Sequence, residues 1–172
     1  MISDWMQTHT GKMFYPLEPR IDDIDLADIA HALSLLCRYG GHTKKFYSVA
    51  EHSVLMSELN ICVHPLWALL HDAAEAYLCD IPRPIKQSIP EYKKYENRLL
   101  DMIGEKFELG LYPADEIHKY DSMMMAVEKR DILAKNIQWG TILPEPEDKI
   151  FATGWSWDKA EYCFLHRLNI LS

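Results

Sequence analysis

Two histidines and two acids stand where this chain would otherwise be apolar. His71 and Asp72 directly follow Leu66-Trp67-Ala68-Leu69-Leu70. A carboxylate in that setting is costly to bury unless it is paired or bound to a metal. Glu75 comes four residues after His71 and three after Asp72, so helical spacing puts all three on one face. Asp121 borders the stripe Ile117, Tyr120, Met124 and Val127, and His52 sits beside Val49 and Leu55. Two imidazoles and two carboxylates suit one divalent ion: Mn, Co, Mg, Fe or Zn. Four protein ligands on an ion that prefers six leave places for a water and a phosphate oxygen. Such an ion lowers the water's pKa and polarises the phosphoryl group, as phosphoester hydrolysis requires. Asp72 then serves catalysis as a ligand, and Glu75 is the expected general acid or base.

Each residue alone has a plainer reading. A single His on a partly apolar helix is usually a hydrogen-bonded structural residue, a lone Asp beside a stripe is usually solvated, and a His-Asp dipeptide is common by chance. The set is more specific: one His in one helix, His-Asp in the next, and an Asp about 50 residues later. Four ligands from three helices converge only inside a bundle, where metal sites are commonly built.

The elements that must position them read as helices. Ile24, Leu26, Ile29, Ala30, Leu33, Leu36 and Cys37 predict a helix over 24–37, with Gly40-Gly41 as its stop, after an irregular stretch over 1–21. Ser48 and Glu51 form an S-x-x-E capping box opening a helix to about Leu59. Pro65 suits the first turn of a helix over 65–78, and Pro82 and Pro84 end it. Further helices are expected over 90–109, 113–135 and 157–170, with a Pro-rich loop between the last two. The expectation is an all-α bundle of about six helices forming a single domain over 1–172, with its core at about 24–135 and the loop and helix of 136–172 packed on it.

Composition narrows the function classes. A net charge of −8 lacks the basic footprint of a nucleic-acid polymer binder. It leaves room for a small anion, because an ion and a few local cations override the global field. No apolar run reaches the roughly 20 residues of a membrane span, and Met1-Ile2-Ser3-Asp4-Trp5 has no secretory pattern. A cytoplasmic protein is expected, its four cysteines reduced thiols without a CxxC pair. Met123-Met124-Met125 reads as core filler, Trp139, Trp155 and Trp157 as anchors of the C-terminal segment, and Lys44-Lys45 and His118 as surface.

The ordered motifs A-E-H-S (50–53), L-L-H-D-A-A-E (69–75) and D-I-P-R-P-I-K (80–86), followed by Asp121, resemble the HD-domain phosphohydrolases over roughly residues 27 to 135. The chain looks most like their small bacterial and phage 5'-deoxynucleotidase branch. The resemblance implies a helical HD domain with one divalent metal on His52, His71, Asp72 and Asp121. It also implies substrate contacts from Arg38-Tyr39, where relatives carry Arg-Trp, from Asp80 to the deoxyribose hydroxyl, from Lys86, and from His42 toward the phosphate. A dimer is expected from the family. Two departures stand out. Cys79 replaces a glycine, which matters if that position needs positive φ, and only 18 residues separate His52 from His71.

The expected activity is hydrolysis of deoxynucleoside 5'-monophosphates to nucleoside and phosphate. A deoxynucleoside triphosphate triphosphohydrolase is the near alternative, and a non-catalytic HD nucleotide-binding module the alternative of another class. Guanosine tetraphosphate hydrolases carry a Glu-Asp pair after the His-Asp, where this chain reads Ala73-Ala74-Glu75-Ala76. Binuclear enzymes need further histidines before the last Asp, and only His118 lies there.

Overall fold

A computed structural model describes residues 4–135 and 137–172. Met1–Ser3 of the expected irregular stretch, and Asn136 at the start of the C-terminal segment, lie outside them. The described residues form an all-α bundle with one two-stranded hairpin, β1 (Met6–Gln7) and β2 (Met13–Phe14), paired antiparallel. The α-helices are α1 (Leu26–Leu35), α2 (Val49–Ser57), α3 (Pro65–Leu70), α4 (Glu75–Leu78), α5 (Arg83–Lys86), α6 (Pro90–Lys106), α7 (Ala114–Asp131) and α8 (Trp157–Leu171). Among the described residues no helix is long and apolar enough to cross a membrane.

α2 is the central element, buried along its whole length, with α1, α3, α7 and α8 packed around it. That environment explains why it buries polar as well as apolar residues. One apolar cluster joins Phe14, Leu33, Leu69, Leu70, Leu99 and Phe164, and a second joins Tyr47, Met56, Trp67, Met124 and Val127. On α6, a Cβ at Gly104 would lie 2.9 Å from the Trp67 ring, so only glycine lets the indole seat there.

Three local departures from the expected elements bear on the site. α1 ends at Leu35, because Leu36 and Cys37 turn extended and Cys37 bridges antiparallel to Ser48. The pairing extends through Arg38 N–H to the Tyr47 carbonyl at 2.9 Å, which fixes the backbone of Arg38. Gly40 and Gly41 therefore lie in a 3-10 turn with Tyr39, which takes φ +58°. The helix expected over 65–78 is two helices. Through His71–Ala74 the backbone bonds tighten to i→i−3 spacing: Ala73 to Leu70, Glu75 to Asp72 and Ala76 to Ala73. At three residues per turn, side chains at i and i+3 eclipse, so Asp72 and Glu75 stand one above the other. Finally, only half of the capping box forms. Ser48 accepts from Glu51 N–H at 3.0 Å, but the Glu51 carboxylate turns away to accept the N–H groups of Thr153, Gly154 and Trp155. Glu51 thereby ties the C-terminal segment to α2.

Candidate metal centre

The helices bring His52, His71, Asp72 and Asp121 together. His52 Nε2 lies 3.3 Å from His71 Nε2 and 3.6 Å from Asp121 Oδ1. Asp72 Oδ2 lies 3.1 Å from His71 Nε2 and 3.9 Å from His52 Nε2. His52, His71 and Asp72 satisfy the spacing of a metal-holding group. His52 is wholly buried, His71 nearly so, and Asp72 and Asp121 open toward a cleft.

The outer ring nitrogens have partners of their own. His71 Nδ1 lies 2.8 Å from the Ala68 carbonyl, an acceptor, so it donates. His52 Nδ1 lies 2.6 Å from Glu128 Oε1 and donates to that carboxylate. Both Nε2 lone pairs then face each other and two carboxylates, an arrangement that calls for a cation between them. Imidazole ligands whose far nitrogen is anchored to a carbonyl or carboxylate are the usual construction of metal sites. The donor set therefore fits a divalent ion.

Glu128 is the member of this cluster that residue spacing did not single out. Its Oε1 also accepts from the Tyr47 hydroxyl at 2.9 Å, and its Oε2 accepts from the Tyr39 hydroxyl. It is fully buried, and burial alone would raise its pKa. Arg38 and His52 outweigh that and pull it to about 2. A signal existed: Glu128 follows Asp121 by seven residues, on the same helical face, inside the stripe of Met124 and Val127. Arg38 stands at the centre of the acids, with Nη1 bonded to Asp72 Oδ2 at 3.1 Å, Nη2 3.6 Å from Asp121 and Nε 3.5 Å from Glu128. Burial opposes ionisation of Asp72 as well, but His71 and Arg38 hold it well below the usual carboxylate range. His71 is raised: burial pushes it down, and the Asp72 carboxylate more than compensates.

The second wall carries Glu75 and Lys86. Glu75 Oε1 accepts from Lys86 Nζ at 2.9 Å, and Lys86 also donates to Glu96 at 2.7 Å. Glu75 Oε2 is buried with no partner. Burial, then the eclipsed Asp72 carboxylate, push Glu75 well above the ordinary range despite Lys86. Asp80 is raised by burial too.

The cleft holds about 590 Å³, within the span of small-molecule sites. Arg38, Tyr39, Asp80 and Lys86 line it with His71, Asp72, Glu75 and Asp121. His42 is exposed in the loop beyond the 3-10 turn and is not among the lining residues. Trp139, read from sequence as an anchor, lines the cleft, as do Met125 and His118, while Trp155 packs on both apolar clusters. Cys79 takes φ +68°, so the position where the resemblance led to an expected glycine does require the left-handed region.

No family model matches the chain. It is 28% identical over 117 residues to a 5'-deoxynucleotidase of Erwinia tasmaniensis, covering 62% of this chain and 51% of that one. It is 37% identical over 115 residues to an uncharacterized protein of Rhodobacter capsulatus, covering 61% and 59%. The uncharacterized protein YfdR of Escherichia coli K12 is 37% identical over 174 residues, 98% of this chain and 96% of its own length. With identity of that level sustained from end to end, the chain belongs to the family of YfdR.

Proposed function

We propose that this chain is a metal-dependent phosphohydrolase of the HD type, hydrolysing deoxynucleoside 5'-monophosphates to nucleoside and phosphate. The observation that carries the reading is the facing pair of His52 and His71 Nε2 atoms, 3.3 Å apart beside Asp72 and Asp121, with His71, Asp72 and Asp121 lining the cleft. The partial likeness to a 5'-deoxynucleotidase supports the substrate class. His52, His71, Asp72 and Asp121 would hold a divalent ion, whose charge would lower a water's pKa and polarise a phosphoryl oxygen. Arg38 presents a guanidinium to the phosphate from the cleft wall, with Glu128 holding it from behind. Glu75, pushed by burial toward its protonated form, gives a proton to the sugar oxygen as its bond to phosphorus breaks and the water oxygen bonds to phosphorus. Lys86 and Glu96 hold Glu75 in position, and Asp80 accepts from a sugar hydroxyl at the cleft wall.

The test is to incubate metal-depleted protein with Mn, Co, Mg or Zn and a panel of ribo- and deoxynucleotide mono- and triphosphates. Orthophosphate released from deoxynucleoside monophosphates, and its loss in His71→Ala and Asp72→Ala, is the expected result. Tripolyphosphate from triphosphates would move the substrate to the triphosphohydrolase class. Equal turnover of ribonucleotides would remove the role given to Asp80. Phosphate release unchanged in His71→Ala would overturn the metal reading.

A further inference from the structure

A second group of metal-ligating side chains lies outside the cleft. His9 is carried on the turn between β1 and β2, His31 on α1, and Glu161 on α8. One ligand atom from each lies within 4.8 Å of the other two. His31 Nδ1 is 3.1 Å from Glu161 Oε2. The His9 and His31 rings stack with centroids 3.7 Å apart and planes 17° from parallel. Trp157 meets His31 edge-on at 6.0 Å, walling one side. We infer that His9, His31 and Glu161 form a second metal site, for a transition-metal dication of the zinc type, that pins the N-terminal hairpin to the helical body.

The His31–Glu161 spacing is that of two ligands on one ion. With metal–ligand bonds of about 2.0–2.2 Å, neighbouring ligand atoms are about 3.3 Å apart on a tetrahedral ion and about 2.9 Å on an octahedral one. The His31–Glu161 contact falls between these values, and the His9 ring, exposed on its turn, would swing out of the stack on His31 to bring a nitrogen to the ion. Two imidazoles and one carboxylate select zinc, cobalt, nickel or copper over magnesium and calcium, which prefer all-oxygen sets. Three protein ligands leave a position for water.

The carrier of His9 is held in place before any ion arrives. Thr10 donates to the buried Asp28 through its N–H at 2.6 Å and its hydroxyl at 2.9 Å. Lys12 reaches Asp25 at 2.9 Å. His31 and Glu161 are 130 residues apart in sequence, so an ion joining them with His9 binds only the folded chain and stabilises it by mass action. The inference is independent of the phosphohydrolase reading, since none of its residues lines the cleft.

The experiment strips the full-length protein of metal, reloads it with Zn(II), desalts it and measures bound zinc per chain together with thermal melting. Wild type should retain two equivalents, His9→Ala and Glu161→Ala one each, His71→Ala one, and His9→Ala/His71→Ala none. Zinc should raise the melting temperature of His71→Ala and leave the double variant unmoved. His9 is exposed, so His9→Ala should fold and keep the phosphate release of wild type. Zinc content unchanged by both His9→Ala and Glu161→Ala would overturn the inference, as would a wild type holding a single equivalent that only His71→Ala removes. If His71→Ala failed to fold, the wild-type and His9→Ala arms would decide it.

Discussion

Glu128 and Glu75 are both glutamates buried to near completion beside the same cluster, yet they are driven in opposite directions. Glu128 meets Arg38, His52 and two tyrosine hydroxyls, and every one of its contacts favours the charged form. Glu75 has a single cation, Lys86, which it shares with Glu96. Asp72 stands above it and its second oxygen has no partner. Burial penalises the charge in both; what differs is the number of donors aimed at it. The first arrangement makes a fixed anion that holds the His52 ring and the Arg38 guanidinium. The second pushes a carboxyl beside the cleft toward its protonated form, and under the proposed function the two acids would divide the labour of one reaction.

The largest expected effect breaks the Glu128 side. Glu128→Ala strands His52 Nδ1, Tyr47 and Arg38 in a dry interior, a change that typically costs about 3–5 kcal/mol, read as a fall in the denaturation midpoint. A loss no larger than that of an exposed substitution would show that Glu128 is not the anchor described. Glu75→Gln should act on rate instead, lowering kcat by about 10²–10⁴ with the fold retained, the range for a positioned acid or base. Activity at the wild-type level in Glu75→Gln would reduce Glu75 to a structural group.

The pH dependence of stability in metal-free protein sharpens the same contrast. Glu128, depressed to about 2 from 4.5, contributes stability that is present above pH 4.5 and lost as pH falls toward 2. Glu75, raised, contributes stability that is complete below pH 4.5 and lost as pH rises through its folded value. Melting across the pH range should show a weaker acid limb in Glu128→Gln, with the part set by Asp72 remaining, and a weaker alkaline limb in Glu75→Gln, with the part set by Asp80 remaining. The smallest effect lies just beyond Glu75. Cys79→Gly relieves a left-handed backbone at φ +68° and should gain about 1 kcal/mol. No gain would mean that the main chain there is held by its neighbours alone.

Much of the cluster is legible in the chain because each member is a polar residue in an apolar stripe, and helical periodicity is a local property. His52, His71, Asp72 and Asp121 are found that way, and so are the approximate positions of α2, α6, α7 and α8. Glu128 is legible only in part. Its spacing from Asp121 is visible, but its partners Tyr39, Tyr47 and His52 come from segments that periodicity does not connect. His42 shows the converse, a polar residue close to the motif in sequence that the fold leaves in solvent.

The sequence by itself determined the helical class, the four polar residues that converge and the acid one turn beyond them, since residue type and spacing along a helix carry that information. Tertiary structure decided what pairing at a distance decides. It tightened the backbone at His71–Ala74 so that Asp72 stands over Glu75. It turned Glu51 from its own helix cap to the C-terminal segment, and it gave Cys79 its left-handed backbone. It also set His9 against His31 and Glu161. Each of these contacts depends on how segments far apart in the chain pack, and burial and charge at those contacts, more than residue type, separate Glu128 from Glu75.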